Sequence, residues 1–262
     1  MDKEDILFRN RMEDLALQAY RKYYYEATDF LNNREQEIVL SMMKERLFDG
    51  VSVTFDGGYE EAERRMVLFH MEDMEIPETD YPLTALSIRP RAVHFADALE
   101  HRDILGALMH LGIERSQIGD ILVQPVEKPG SDATQAILFC KTKLAPYIMQ
   151  ELQKIRHTMV DLSVIPLQEI DYTPSFINME IVVASLRVDA VFSTALKCSR
   201  STFKNMVTAG NVILNHRELY SPGILLKEKD IISIRGYGKY RFNGTIHETK
   251  KGRLLVAVQK YN

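Results

Sequence analysis

The chain has 262 residues, a length that fits two or three domains with sizeable cores. A composition of 45% hydrophobic and 27% charged residues is that of a globular protein in water. No apolar run approaches the roughly 18 residues of a membrane helix, and "MDKEDILFRNRMEDLALQAY" lacks a signal-peptide core, so a cytoplasmic protein away from membranes is expected. Cys140 and Cys198 are far apart and are read as reduced thiols. With no cysteine pair at ligand spacing and the seven histidines scattered, neither a metal nor a cofactor is expected. The net charge of −4 hides an asymmetry. Residues 185–262 carry 14 Lys and Arg against 5 Asp and Glu, or +9, which leaves −13 on the remainder. A basic end on an acidic body points to a localised anionic partner.

Two proline-containing breaks, "EIPETDYP" and "DYTPSF", divide the chain into three blocks, 1–76, 83–171 and 179–262. Block one opens with a helix whose apolar positions are Leu7, Leu15, Leu17 and Tyr20. A second helix follows, capped by Asn32 or Asn33. "VSVTFDGGY" and "RRMVLFHM" then read as paired strands. The run Tyr23, Tyr24 and Tyr25 reads first as helix packing and exposed tyrosine, with base stacking as the alternative.

Block two reads strand "LTALSIRP", helix "EHRDILGALMHLG" stopped by Gly112, strand "IGDILVQPV" and a Lys-Pro-Gly-Ser turn. Strand "ATQAILFCKT", helix "APYIMQELQKIR" with Pro146 in its first turn, and strand "VDLSVIPLQEI" complete it. The order β-α-β-β-α-β is that of ferredoxin-like and RNA-recognition folds, within an α+β protein of three small domains. Its strands offer only Phe139 where RNA-recognition sheets display paired aromatics, so stacking of single-stranded RNA on this sheet is not expected. Arg102, Arg115 and Lys141 are cations that could reach phosphate or simply be solvated.

Block three carries most of the information. "SLRVDAVFSTALK" is a helix with Val188, Val191, Phe192 and Leu196 on one face and Arg187 in its first turn, where a cation opposes the helix dipole unless an anion sits nearby. Ser199 caps a second helix, "SRSTFKNMVTAG", with Phe203, Met206 and Val207 as its apolar stripe and Gly210 as its stop. Arg200 and Lys204, four apart, share another face. With the hydroxyls of Ser199 and Ser201, that helix start is chemically a phosphate site. Strands "NVILN" and "DIISIRG" follow. The tail "RGYGKYRFNGTIHETKKGRLLVAVQKYN" is a basic β segment, in which Tyr237 and Tyr240 are expected to pack on sugar or base; an edge hairpin guarded by cations is the plainer reading.

The residues Arg187 and Asp189, Ser199 and Arg200, Gly210, Val212 and Asn215, and Asp230 with Ile232 together resemble the S-four RNA-binding domain, named for ribosomal small-subunit protein four. Two turn positions depart from its pattern: His216 stands where glycine usually follows the asparagine, and Lys229 where glycine usually precedes the aspartate. "TDFLNNREQEIV", "LTALSIRP", "HRDILGALMHLGIERSQIGDILV" and "SIRGYGKYRF" followed by "TKKGR" extend the likeness, so nearly the whole chain resembles the YlmH-type proteins, three-part bacterial proteins ending in an S-four domain. The resemblance implies non-catalytic binding of structured RNA, rRNA and tRNA on the large ribosomal subunit. The implied role is ribosome-associated quality control, holding peptidyl-tRNA during rescue of stalled chains, with an associated link to cell division and division proteins as further partners.

On this reading the RNA-binding residues are Arg187, Lys197, Ser199, Arg200, Ser201, Lys204, Asn205, Asn215, His216, Arg217, Arg235, Lys239 and Arg241. Two alternatives remain. An RNA-modifying enzyme of pseudouridine synthase or rRNA methyltransferase type would need a larger catalytic domain with a nucleophilic aspartate, or a glycine-rich cofactor turn, and "DGGYEEAER" lacks that pattern. His101 and Asp103 read as a surface pair or cap. A protein scaffold for cell division would present the same basic face to an acidic protein.

Overall fold

The computed structural model describes residues 3–77, 80–126, 132–170, 172, 176–215 and 217–261. Among these it is a mixed α+β structure with six α-helices and three sheets. Backbone contacts divide the chain into two compact units, Met1–Tyr172 and Thr173–Asn262. No helix among the described residues is long and apolar enough to cross a membrane.

The first unit begins with α1 (Lys3–Lys22), β1 (Glu26–Ala27), α2 (Asn33–Lys44), β2 (Ser52–Asp56) and β3 (Met66–His70), the strands forming an antiparallel sheet in the order β1-β3-β2. Asn32 is the α2 cap. Its side chain accepts from the Glu35 N–H at 3.1 Å, and the Glu35 carboxylate accepts from the Asn32 N–H at 2.7 Å. The inward face of α1 differs from the expected one. Met12, Ala16 and Ala19 are buried, with Phe8 and Leu15 partly so, whereas Leu7, Leu17 and Tyr20 are exposed. Met12, Ala16 and Ala19 meet Val39 and Met42 of α2 and Val67 and Phe69 of β3 in one core.

The unit continues with β4 (Leu83–Pro90), α3 (His101–His110), β5 (Ile118–Pro125), β6 (Thr134–Lys141), α4 (Ala145–Glu151), β7 (Lys154–Ile155) and β8 (Thr158–Ile165), in a sheet ordered β5-β6-β4-β8-β7. The expected Lys-Pro-Gly-Ser turn lies outside the described residues. Helix α4 ends at Glu151, five residues short of the expected Arg156. Arg156 takes a φ of 52° in the tight turn that pairs β7 with β8, and a left-handed residue cannot continue a helix. Asp103 is the third residue of α3, and its carboxylate accepts from the Glu100 N–H at 2.9 Å, which makes it a cap.

Alternate strand residues serve two cores. Leu86, Ile88, Leu138 and Cys140 face α3 and α4, and burial pushes the Cys140 thiol up to about 12. Leu83, Ala85, Leu122 and Phe139 face the other way, against Phe30, Met66 and Leu68 from the β1–β3 half. Phe139 is fully buried there and stacks on Tyr59 at 5.1 Å. Asp120 of β5 pins this closure. Its carboxylate accepts from the Tyr59 hydroxyl at 2.8 Å and from the N–H groups of Glu63 and Arg64 at 2.7 and 3.2 Å.

The second unit contains β9 (Phe176–Val183), α5 (Val188–Ala195), α6 (Arg200–Thr208), β10 (Val212–Leu214), β11 (Arg217–Glu218), β12 (Ile231–Ile234), β13 (Gly238–Glu248) and β14 (Leu254–Tyr261). The sheet order is β11-β10-β12-β13-β14-β9. Strand β9, which the sequence reading left out, pairs with β14 from Phe176 opposite Tyr261 to Val183 opposite Leu254. The two helices lie on one face of this sheet. Val188, Val191, Phe192, Phe203 and Val207 meet Ile232, Ile234, Phe242, Val256 and Val258 in a single core.

Candidate nucleic-acid interface

The α5–α6 pair positions most of the expected interface residues. Arg187 is the residue just before α5, and Asp189 lies in its first turn. The Arg187 guanidinium donates to both Asp189 oxygens, Nε to Oδ1 at 3.0 Å and Nη2 to Oδ2 at 3.1 Å. The anion that relieves the helix-dipole conflict is therefore supplied from within, two residues on. Asp189 is 2% exposed, and its bond to Arg187 holds its carboxyl below the usual carboxylate range, with the charges of Arg200 and Lys204 adding to the effect. Arg187 is thus bonded to this buried carboxylate, and Arg200 and Lys204 are exposed on the neighbouring helix.

Ser199 caps α6, its hydroxyl accepting from the Thr202 N–H at 3.0 Å. The same oxygen lies 2.7 Å from the Ser201 hydroxyl and 2.8 Å from that of Thr202, so these hydroxyls form a local network instead of standing open as donors. Arg200, Ser201, Lys204 and Asn205 are exposed along α6, and Lys197 is exposed in the turn before it with a φ of 53°. Gly210 ends α6 at a φ of 70°.

Asn215 is placed differently from the expectation. Its side-chain N–H donates to Asp230 at 2.8 Å, its side-chain oxygen accepts from the Ile231 N–H at 2.9 Å, and its φ is 45°. Both ends of the amide are engaged in holding a turn, one on the Asp230 carboxylate and one on a backbone N–H, and asparagine tolerates the left-handed position. Lys229, where the resembling pattern has glycine, keeps the left-handed geometry at a φ of 72°. His216 and the side chain of Arg217 lie outside the described residues.

On the β segment, Arg235 is exposed in the turn joining β12 to β13. Lys239 and Arg241 leave β13 on the face opposite the core. Lys239 Nζ is 4.9 Å from the Tyr261 ring centre, and the Arg241 guanidinium is 5.3 Å from Phe176 and 5.6 Å from Tyr261. Of the two tyrosines expected at RNA, Tyr237 is exposed, but Tyr240 is buried, its hydroxyl donating to the Tyr237 carbonyl at 3.1 Å. Period-two alternation puts Tyr240 on the face of Phe242, which is core.

Sequence reasoning missed Tyr220, Ile224 and Leu225, all exposed on the loop that leads to β12. Backbone bonds from Val188 N–H to the Ile224 carbonyl and from Asp189 N–H to the Pro222 carbonyl dock this loop at the start of α5. Gly223 lies against the Arg187 guanidinium, where a Cβ would come within 3.1 Å of Nη2.

In the first unit the three isolated cations are all engaged. Arg115 donates to the carbonyls of Ile118 and Gly119 at 2.6 and 2.9 Å, and burial lowers its pKa to about 10. Lys141 pairs with Asp29 at 2.6 Å, and Arg102 with Glu100 at 3.0 Å. Among the described residues no group of three His, Cys, Asp or Glu side chains is arranged to hold a metal ion.

Residues 77–169 match the family model described as "Putative RNA-binding domain in YlmH". The chain is 30% identical over 245 residues to the ribosome-associated protein quality control protein P2 of Bacillus subtilis, covering 91% of this chain and 88% of that protein. A solved structure of the cell division protein ylmH from Streptococcus pneumoniae matches 65% of this chain and 97% of its own with a TM-score of 0.50 at 20% identity, a likeness of fold. On the matched segment and on the extent of its likeness to the B. subtilis protein, the chain belongs to the YlmH family.

Proposed function

We propose that the protein binds structured RNA without catalysing a reaction, through an S-four-type module formed by residues 179–262. The observation that carries this reading is the helix pair itself: exposed Arg187, fixed by buried Asp189 at the start of α5, and Arg200 with Lys204 exposed one turn apart on α6 behind the Ser199 cap. Fixed cations on a capped helix pair suit phosphates held at set spacing, as in a folded RNA. The ferredoxin-like order of the middle strands, as a further domain over 83–171 beside an N-terminal α+β domain over 1–76, accords with the family match. The name of the B. subtilis relative supports ribosome-associated quality control in the cytoplasm. There the RNA is rRNA and tRNA on the large ribosomal subunit, and the task is to hold peptidyl-tRNA during rescue.

The test is crosslinking of the protein to RNA in cells with sequencing of the bound fragments. Large-subunit rRNA together with tRNA is the expected recovery. Recovery no higher than that of a variant carrying R200E and K204E overturns the reading. It would move the weight to a protein scaffold in cell division, whose complexes survive ribonuclease.

A further inference from the structure

The first unit closes the surface on which a sheet of this strand order would stack bases. Phe139, with Leu83, Ala85 and Leu122, is covered by Phe30, Met66 and Leu68. A base cannot reach that face without opening a core, so nucleic acid on this unit has to be met elsewhere.

At the rim of the same closure lies a cleft of about 510 Å³, within the usual range for small-ligand sites. Three tyrosines line it, Tyr24, Tyr25 and Tyr81, together with Asp80, Lys141 and Lys143. Tyr24 and Tyr25 lie 4.8 Å apart, tilted by 38°. Their phenols are held in place: Tyr24 donates to the Asp80 carboxylate at 2.9 Å, Tyr25 to the Asp80 carbonyl, and Tyr81 to Asp56. The rings are therefore fixed before any ligand arrives, which lowers the ordering cost of binding.

The backbone contributes a second observation. Tyr23, directly after α1, takes a φ of 49°, a left-handed conformation that is costly for a bulky side chain. Its hydroxyl donates to both oxygens of Asp73, at 3.1 and 3.0 Å. The strained reversal is what turns Tyr24 and Tyr25 out of the helix and into the cleft.

The charges sort themselves. Lys141 is paired with Asp29, and the rim carboxylate of Glu26 with Lys22. Lys143 is exposed and has no ion-pair partner among the described residues. The cleft thus offers π-faces and an exposed ammonium, the groups that meet a base face and a phosphate.

We propose that this cleft is a nucleotide site, taking one unstacked nucleotide of a bound RNA with its base against Tyr24 and Tyr25 and its phosphate at Lys143. The inference deepens the RNA-binding reading and rests on it. Residues 80–82 and 141–143, which supply one wall, fall within the segment matched to the family's RNA-binding domain.

The test uses the full chain carrying R200E and K204E, which removes the α6 contribution, and a fluorescein-labelled five-nucleotide single-stranded RNA followed by anisotropy. Adding Tyr24→Leu or Lys143→Glu, both at exposed positions, is expected to weaken pentanucleotide binding at least about tenfold, the order expected for one stacked base. Melting temperature should not change. Competition by the four nucleoside monophosphates separates the sources of the same chemistry: displacement at concentrations equal to the RNA identifies a free nucleotide as the occupant, and its absence identifies RNA. Equal binding with and without the cleft substitutions, or no binding in the R200E/K204E chain, overturns the inference. Binding of folded rRNA fragments by the unaltered chain, measured alongside, reports separately on the proposed function.

Discussion

Arg187 grips Asp189 through two parallel bonds of 3.0 and 3.1 Å at the start of α5, where the backbone N–H groups of Val188 and Asp189 hold the loop bearing Ile224 and Pro222. The carboxylate is buried while the guanidinium is half exposed, so one residue anchors and the other still faces the solvent. Asp189→Asn is expected to lower the melting transition of the second unit by about 5 °C and to loosen the loop. Circular dichroism at pH 7 checks it.

The same pair gives a pH dependence of definite sign. The carboxyl of Asp189 is held below its ordinary value, chiefly by the bond to Arg187. A depressed acid stabilises the folded state above its unfolded pKa of about 4, and that stabilisation is lost as pH falls through the folded value. The difference in melting temperature between the native chain and Asp189→Asn should therefore be constant from neutrality down to about pH 5 and shrink at lower pH.

Arg200 and Lys204 are exposed and lie clear of the core. Removing both charges, as in Arg200→Gln with Lys204→Gln, should leave melting nearly unchanged, since the Arg187 bond is the larger influence on Asp189, and should weaken RNA binding. It should also flatten the dependence of log K on log salt by roughly 1.4–1.8, the share of two phosphate contacts. A titration at several salt concentrations reads this directly, and an unaltered slope would place the RNA elsewhere.

Phe203 is fully buried and lies 6.3 Å from Phe192, ring centre to ring centre. Phe203→Ala is expected to cost about 3–5 kcal/mol of stability. Denaturant unfolding monitored on the second unit measures it, and a cost below about 1 kcal/mol would mean the site collapses around the cavity.

Asn215 separates structure from contact. Asn215→Ala loses the bonds to Asp230 and Ile231 and strains a left-handed residue, a loss of about 2 kcal/mol. Asn215→Gly relieves the backbone but not the lost bonds, so it should fall between the two. RNA affinity per folded molecule should be equal in all three, because the amide is turned inward.

Much of the architecture was legible from local pattern. The limits of β4, a cap at Asn32 or Asn33, the Ser199 cap, the stop at Gly210 and the stripe of Phe203 and Val207 each follow from short-range geometry, written within a few residues. So does the clustering of cations toward the C-terminal end, since charge is additive along a chain. Choices among chemically similar faces were not legible. Periodicity marked α1 as amphipathic but not that Ala16 and Ala19 would face inward, because that depends on where α2 and β3 pack. Tyr237 and Tyr240 are equivalent in sequence, and only pairing with β12 and β14 puts Tyr240 in the core. Partners distant in the chain were hidden for the same reason. Strand β9 finds β14 across the whole second unit, and Phe139 is sealed by Met66 of β3 and by Phe30 from the loop after β1. Residue type sets what a side chain can do; burial, which sums contributions from segments far apart, sets whether it meets solvent, ligand or core.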